Sequence, residues 1–192
     1  MHYFVDFDRT VFDTPSFKRA FARRAGPIEL LKQAWLVLKA ALNPERTVPL
    51  RRIAKTAFGT FASHGRFGFT PGELKRFLYP DAVSFFESHA PDITVITYGV
   101  ESFITAKVTD ALTDVPLRDI IYTHQKKGRI LRAYTKQATE PVVFIDDAVF
   151  QLESVSRYCP EVSCIEIRRD GREGDGRWPV IRDFSELDTV FS

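Results

Sequence analysis

Apolar residues in this chain gather into short, unbroken runs. Tyr3-Phe4-Val5 is the first; after Asp92 come Ile93-Thr94-Val95-Ile96, Asp119-Ile120-Ile121-Tyr122, Val142-Val143-Phe144-Ile145 and Ser163-Cys164-Ile165-Glu166-Ile167. Runs of this length read as short buried strands. Between them Glu101 to Leu112, Arg129 to Gln137 and Phe150 to Arg157 read as helices. Strands alternating with helices imply a parallel sheet covered on both faces, so the expected fold class is α/β, a Rossmann-like doubly wound sheet.

A different pattern fills the stretch from about Pro15 to Ala90. Ser16 to Arg24, Ile28 to Leu42, Val48 to Ser63, Pro71 to Leu78 and Ala82 to His89 read as helices, punctuated by Gly26-Pro27, Asn43-Pro44, Thr70-Pro71-Gly72 and Tyr79-Pro80. Ile28, Leu31, Trp35, Leu38 and Leu42 form a stripe at helical spacing that needs a packing partner. At 192 residues and 44% hydrophobic content, the chain can form one domain or a core domain carrying an insertion. Charge favours the second. The net charge is +2, yet residues 14–90 hold thirteen Lys and Arg against five Asp and Glu, leaving the remainder acidic. A basic segment within an acidic chain suggests two structural units.

Other features narrow the class. No stretch approaches the roughly 20 apolar residues of a membrane span, and no charged leader precedes an apolar segment, so a soluble, cytoplasmic protein is expected. Cys159 and Cys164 fit neither a zinc motif nor a disulfide framework and are expected as buried thiols. Four scattered histidines offer no zinc pattern. The glycine-rich, charged segment Arg169 to Arg177 reads as a mobile surface loop, and Ser185 to Phe191 as a short helix capped by Ser185.

The candidate chemistry lies at strand ends. Asp6 and Asp8 follow the first run, and residues two apart in an extended chain face the same side. Asp146-Asp147 closes the Val142 run. Ligands of open α/β sheets sit at the carboxyl ends of the strands, where Asp6, Asp8, Thr97, Asp146 and Asp147 all fall. Four carboxylates there make an oxygen-ligand site suited to magnesium. Helix capping for Asp146-Asp147, strand termination for Thr97 and plain solvated charge for Lys127 are the simpler roles these residues could have.

These motifs together resemble the haloacid dehalogenase superfamily of phosphohydrolases. Asp6-Phe7-Asp8-Arg9-Thr10 is similar to its first motif and Val95-Ile96-Thr97 to its second. Lys127-Gly128-Arg129-Ile130-Leu131 is similar to its third and Ile145-Asp146-Asp147 to its fourth. The four occur in the family's order, and the resemblance spans roughly residues 1–167. Arg9 departs from it, because many members carry glycine there. Lys126 and Lys136 are alternatives to Lys127.

The resemblance implies an α/β catalytic core of residues 1–13 and 91–192, with 14–90 as an all-helical cap in a phosphoserine phosphatase-like layout. It implies that Asp6 attacks phosphorus and that Asp8 serves as acid and base. Thr97 and Lys127 would hold the phosphoryl oxygens, while Asp6, the Asp8 carbonyl and one or both of Asp146 and Asp147 hold Mg2+. The expected substrate is a small phosphorylated metabolite, polyanionic if Arg23, Arg24, Arg51, Arg52, Lys75 and Arg76 face the cleft. A second reading is a nucleotide or nucleic-acid-end phosphatase using the basic segment and Phe58, Phe61, Phe67, Phe69 and Phe77. A third is a non-catalytic, phospho-ligand-binding regulatory protein. Oligomeric state leaves no trace in the sequence.

Overall fold

The computed structural model describes residues 1–24, 69–99 and 101–191. Six strands form one sheet in the order β3-β2-β1-β4-β5-β6: β1 His2–Val5, β2 Ile93–Tyr98, β3 Asp119–Thr123, β4 Val142–Asp146, β5 Ser163–Ile167 and β6 Val180–Ile181. Every neighbouring pair is parallel. The helices are α1 (14–24), α2 Pro80–His89, α3 Glu101–Ala111, α4 Lys127–Thr135, α5 Val149–Tyr158 and α6 Leu187–Phe191. This is the Rossmann-like α/β architecture expected from the alternating runs.

Buried parallel strands explain those unbroken runs. Phe4, Val5, Val95, Ile96, Phe144 and Ile145 are each fully buried. Fully burying one such side chain contributes about 1.5–3 kcal/mol, which fixes the three central strands as the rigid part of the molecule. Cys159 and Cys164 lie in the same core with Leu131, Leu152 and Val155. Burial pushes both thiols up, away from the reactive thiolate form.

The chain divides into two compact units, residues 1–13, 78–98 and 114–192, and residues 14–77 and 99–113. The first carries the whole sheet. It also holds α2, which the sequence reading placed with the insertion. The reason is aromatic packing: Phe85 of α2 meets Tyr3 edge-on at 5.2 Å and stacks on Phe184 at 4.7 Å.

In the second unit, Phe17, Phe69 and Phe77 pack with ring centroids 5.6–6.1 Å apart, as a core does. Phe58, Phe61, Phe67, Arg51, Arg52 and the helices read over 28–42 and 48–63 lie outside the described residues. The helix expected over Pro71 to Leu78 is a 3-10 turn, Glu73–Phe77. Its start is held by the Asp110 carboxylate, which accepts from the Gly72 and Leu74 amides at 2.5 and 2.9 Å. No described helix is long and apolar enough to cross a membrane.

Two local corrections concern the C-terminal part. Asp183, not Ser185, caps the last helical segment, accepting the Ser185 amide at 2.9 Å. The segment 169–177 is anchored: Arg177 pairs with Glu153 at 2.6 Å, and the Arg169 side chain is only 11% exposed.

α4 and α5 cross very closely, and Gly128 is what permits it. A Cβ at Gly128 would lie 2.1 Å from the Ser154 carbonyl oxygen, a rigid backbone atom. Gly128→Ala is therefore expected to destabilise the protein by about 1–3 kcal/mol, the usual cost of overpacking. Urea denaturation of the two proteins measures this, and an unchanged midpoint would show that the helices separate freely.

Candidate active site

The site begins where the sheet changes direction. The chain passes from β1 to β2 on one side, while β4 flanks β1 on the other, so the crevice between β1 and β4 is the switch point of the sheet. Asp6 is the first residue past β1, and its amide continues the ladder by donating to the Ile145 carbonyl at 2.9 Å. Asp146 ends β4, and Asp147 follows it. Parallel pairing of the two strands therefore delivers three carboxylates to one place. Carboxylate oxygens of Asp6, Asp146 and Asp147 all lie within 4.8 Å of one another.

Lys127 enters this cluster from the first position of α4. Its ammonium, 1% exposed, donates to Asp6 and, at 2.6 Å, to Asp146. Two of its three N–H donors are thereby accounted for. Burial alone would strip the charge from such a lysine, but Asp146 and Asp6 outweigh it and hold Lys127 above its ordinary value. Lys126 and Lys136 are both exposed, so of the three lysines left open only Lys127 is buried among carboxylates.

The acids outnumber their buried counter-charge. Burial raises Asp6 well above the usual carboxylate range; Lys127 opposes this, and Asp146 and Asp147 add to it. Burial likewise pushes Asp147 up to about 6, with Asp146 adding and Arg9 opposing. Three hard oxygen donors with surplus negative charge, two of them buried and Asp147 partly so, are a donor set that fits a divalent cation such as magnesium.

Around this centre the turn of residues 7–12 is tightly closed. The Phe7 carbonyl accepts both the Val11 and Phe12 amides, at 3.1 and 2.9 Å, and Arg9 donates its amide to Phe12 at 2.8 Å. Arg9 has a positive φ of 69°, a conformation glycine adopts without strain. Its exposed guanidinium stands 3.7 Å from Asp147. Asp8, half-buried in the same turn, does not contribute its carboxylate to the three that converge. Thr97 lies near the end of β2, 1% exposed, and its hydroxyl has no partner among the described residues.

One supporting residue escaped the sequence reading. Gln151 on α5, 2% exposed, accepts the backbone N–H of Lys127 at 2.9 Å and so fixes the start of α4. Nothing local marks it, because the two residues are far apart in the chain and meet only when α4 and α5 pack. Asp146 also serves the turn that follows it, accepting the Ala148 amide at 2.8 Å with the oxygen that Lys127 leaves unused. Turn-stabilising and site roles thus coexist in one carboxylate, while Ala148 and not an aspartate is the cap of α5.

Comparison with solved structures identifies the fold of this all-parallel α/β sheet. The chain is similar over 99% of its length to a haloacid dehalogenase-like hydrolase from Burkholderia xenovorans, at TM-score 0.68 and 13% identity, covering 97% of that chain. It is similar to the HAD-hydrolase YfnB from Bacillus subtilis bound to magnesium, at TM-score 0.61 and 13% identity, with 100% and 98% of the two chains covered. The L-2-haloacid dehalogenase of Xanthobacter autotrophicus matches at TM-score 0.60 and 17% identity, with 99% and 97% covered. No protein-family model and no curated protein matches the sequence. The chain therefore has the haloacid dehalogenase-like hydrolase fold.

Proposed function

We propose that the protein is a magnesium-dependent phosphohydrolase that cleaves a phosphate monoester through an aspartyl-phosphate on Asp6. The observation that carries this reading is the convergence of Asp6, Asp146 and Asp147 with the Lys127 ammonium at the switch point of the sheet. Magnesium bound by Asp6, Asp146 and Asp147, and by the Asp8 carbonyl as the family resemblance implies, would neutralise charge on the phosphoryl group.

The chain's own residues do the rest. A carboxylate oxygen of Asp6 forms a bond to phosphorus as the bond to the leaving alcohol breaks, and Asp8 gives that oxygen its proton. Water then attacks the same phosphorus, Asp8 takes the proton, and the Asp6 carboxylate is restored. Lys127 holds the nucleophile in place through its ion pair and has a third donor for a phosphoryl oxygen. The Thr97 hydroxyl, unpartnered among the described residues, supports a second such contact, since a buried hydroxyl left unbonded is costly.

A dehalogenase is the competing reading, raised by the names of several of the matching structures. Asp8 supports the phosphatase: carbon–halogen cleavage releases a halide that needs no proton, whereas an alkoxide does. The discriminating experiment offers the protein para-nitrophenyl phosphate with magnesium and, separately, a 2-chloro acid. Phosphate release without chloride release is expected, and chloride release alone would replace this reading with the other.

The physiological substrate in this proposal is a small phosphorylated metabolite with more than one negative charge, drawn by the basic inserted segment. Arg24 and Arg76 of that segment are paired with Glu73.

Metal binding should depend on pH through Asp147. Its carboxyl, ordinarily near 4, stands at about 6 in the folded protein. A raised value stabilises the metal-free fold fully below the unfolded pKa, and that contribution is lost as pH rises through about 6. Magnesium must displace this proton, so its stabilising effect grows over the same window. Thermal melts with and without magnesium are expected to differ more at about pH 7 than at about pH 5, and Asp147→Asn to flatten the difference. An equal magnesium shift at both values would exclude Asp147 as a ligand.

A further inference from the structure

We propose that Arg169 is a positioning residue that holds the Asp8-bearing turn in its working geometry. It follows β5 by two residues and lies in the charged segment that the sequence analysis read as a mobile loop. All three of its guanidinium nitrogens are instead engaged. Nε and Nη2 both donate to the Thr10 carbonyl, at 3.1 and 2.8 Å, across 159 positions of sequence. Nη1 lies 2.7 Å from Asp81 in the first turn of α2 and 3.3 Å from the Arg182 carbonyl it donates to. The guanidinium carbon lies over the Tyr79 ring, 4.2 Å from its centroid, and 5.4 Å from that of Phe184.

Each partner is placed by something other than Arg169, which is what makes the arrangement a clamp. Asp81 is held by the Phe184 amide at 2.9 Å. Tyr79 donates its amide to the Val11 carbonyl at 3.0 Å, and Phe12 bridges Leu78 in antiparallel fashion. The chain leaving through residues 10–13 and the chain returning through 78–81 are therefore fastened side by side, and Arg169 is the charged group spanning both. Thr10 stands two residues past Asp8, directly after the strained Arg9. A carbonyl at the apex of such a turn, left unbonded, would let the turn rotate and carry Asp8 with it. A planar fork stacked on an aromatic ring fixes direction as well as distance, which a lysine ammonium does not.

The carboxylates of Asp6, Asp146 and Asp147 are placed by the ends of β1 and β4, outside the turn that Arg169 holds, and only Asp147 meets that turn, through Arg9 at 3.7 Å. Loss of Arg169 should then impair proton transfer by Asp8 more than metal binding, which keeps three of its four proposed donors, an inference that rests on the phosphohydrolase reading for the role of Asp8. Full-length native protein, Arg169→Gln, Arg169→Lys and Asp81→Asn are compared with magnesium and para-nitrophenyl phosphate, alongside amide hydrogen exchange.

Arg169→Gln is expected to lower kcat by about 100-fold, the scale of a displacement of about 1 Å, with little change in KM and a magnesium-dependent thermal shift that is weakened but retained. The Val11 and Phe12 amides should exchange faster while those of β1 and β4 stay protected. Arg169→Lys should fail to restore kcat, and Asp81→Asn should give a smaller loss in the same direction, carrying the test if Arg169→Gln does not fold. Unchanged exchange at Val11 and Phe12 in folded Arg169→Gln would overturn the proposal, as would a kcat that falls only with the folded fraction. If native protein releases no phosphate, the phosphohydrolase reading fails on its own, and the exchange measurement still decides whether Arg169 holds the turn.

Discussion

Asp6→Asn is expected to abolish phosphate release, by about 10⁴-fold or more, while leaving the protein folded. The size follows from the role: a nucleophile removed from a concerted unit takes most of the catalysis with it. The amide oxygen is nearly isosteric, so the substitution removes charge and nucleophilicity without opening a cavity. Stability should hardly fall, because burial already opposes the Asp6 charge and Asp146 remains to pair with Lys127. Thermal melting and phosphate release on the same preparation check both halves. Turnover retained within about 10-fold would mean that another group attacks phosphorus.

Lys127→Met reverses this balance between activity and stability. Methionine matches the length of the lysine stem, so the packing against Phe144 survives, where the ammonium stands 5.6 Å from the ring centroid. What disappears is the buried counter-charge of Asp6 and Asp146. Removing one partner of a buried ion pair costs about 3–5 kcal/mol, since the carboxylates stay buried and unpaired. The variant should therefore unfold at distinctly lower urea than native protein, and magnesium should recover part of the loss by replacing the missing charge. Activity should stay low even when magnesium restores the fold, because a cation held by the carboxylates does not supply the donor that Lys127 offers the phosphoryl group. A Lys127→Met protein as stable as the native one, without metal, would show that the lysine is not the keystone of the cluster.

The parts of this molecule that could be read in advance are those whose signal is local. β4 and β5 fall on the residues that the apolar runs indicated, because a strand buried on both faces has no alternation to blur its limits. Asp6 and Asp146 were visible because each sits at the end of such a run. β6 was missed: two residues, Val180 and Ile181, hold too little pattern, and only the edge of β5 makes them a strand. α2 falls within the bounds read for the inserted segment, because helical periodicity says that a face is buried and not against what. The Phe85 ring resolves it by stacking on Phe184, a residue almost a hundred positions later.

Long-range contacts set the same limit at the site. That Lys127 would start a helix could be read from the chain, but that its ammonium would lie between Asp6 and Asp146 could not, because those contacts span 121 and 19 positions. Arg169 illustrates the limit most fully. In sequence it opens a run of glycine and charge that looks solvated, and only the fold brings Thr10, Asp81 and Tyr79 to it.

The most direct test of the account is phosphate release from para-nitrophenyl phosphate by the native full-length protein, measured with magnesium and again after chelation. The account predicts release that requires the metal, is lost on chelation and returns when magnesium is restored. Release that is indifferent to magnesium in folded protein would contradict the assignment of Asp6, Asp146 and Asp147 as one metal-holding site.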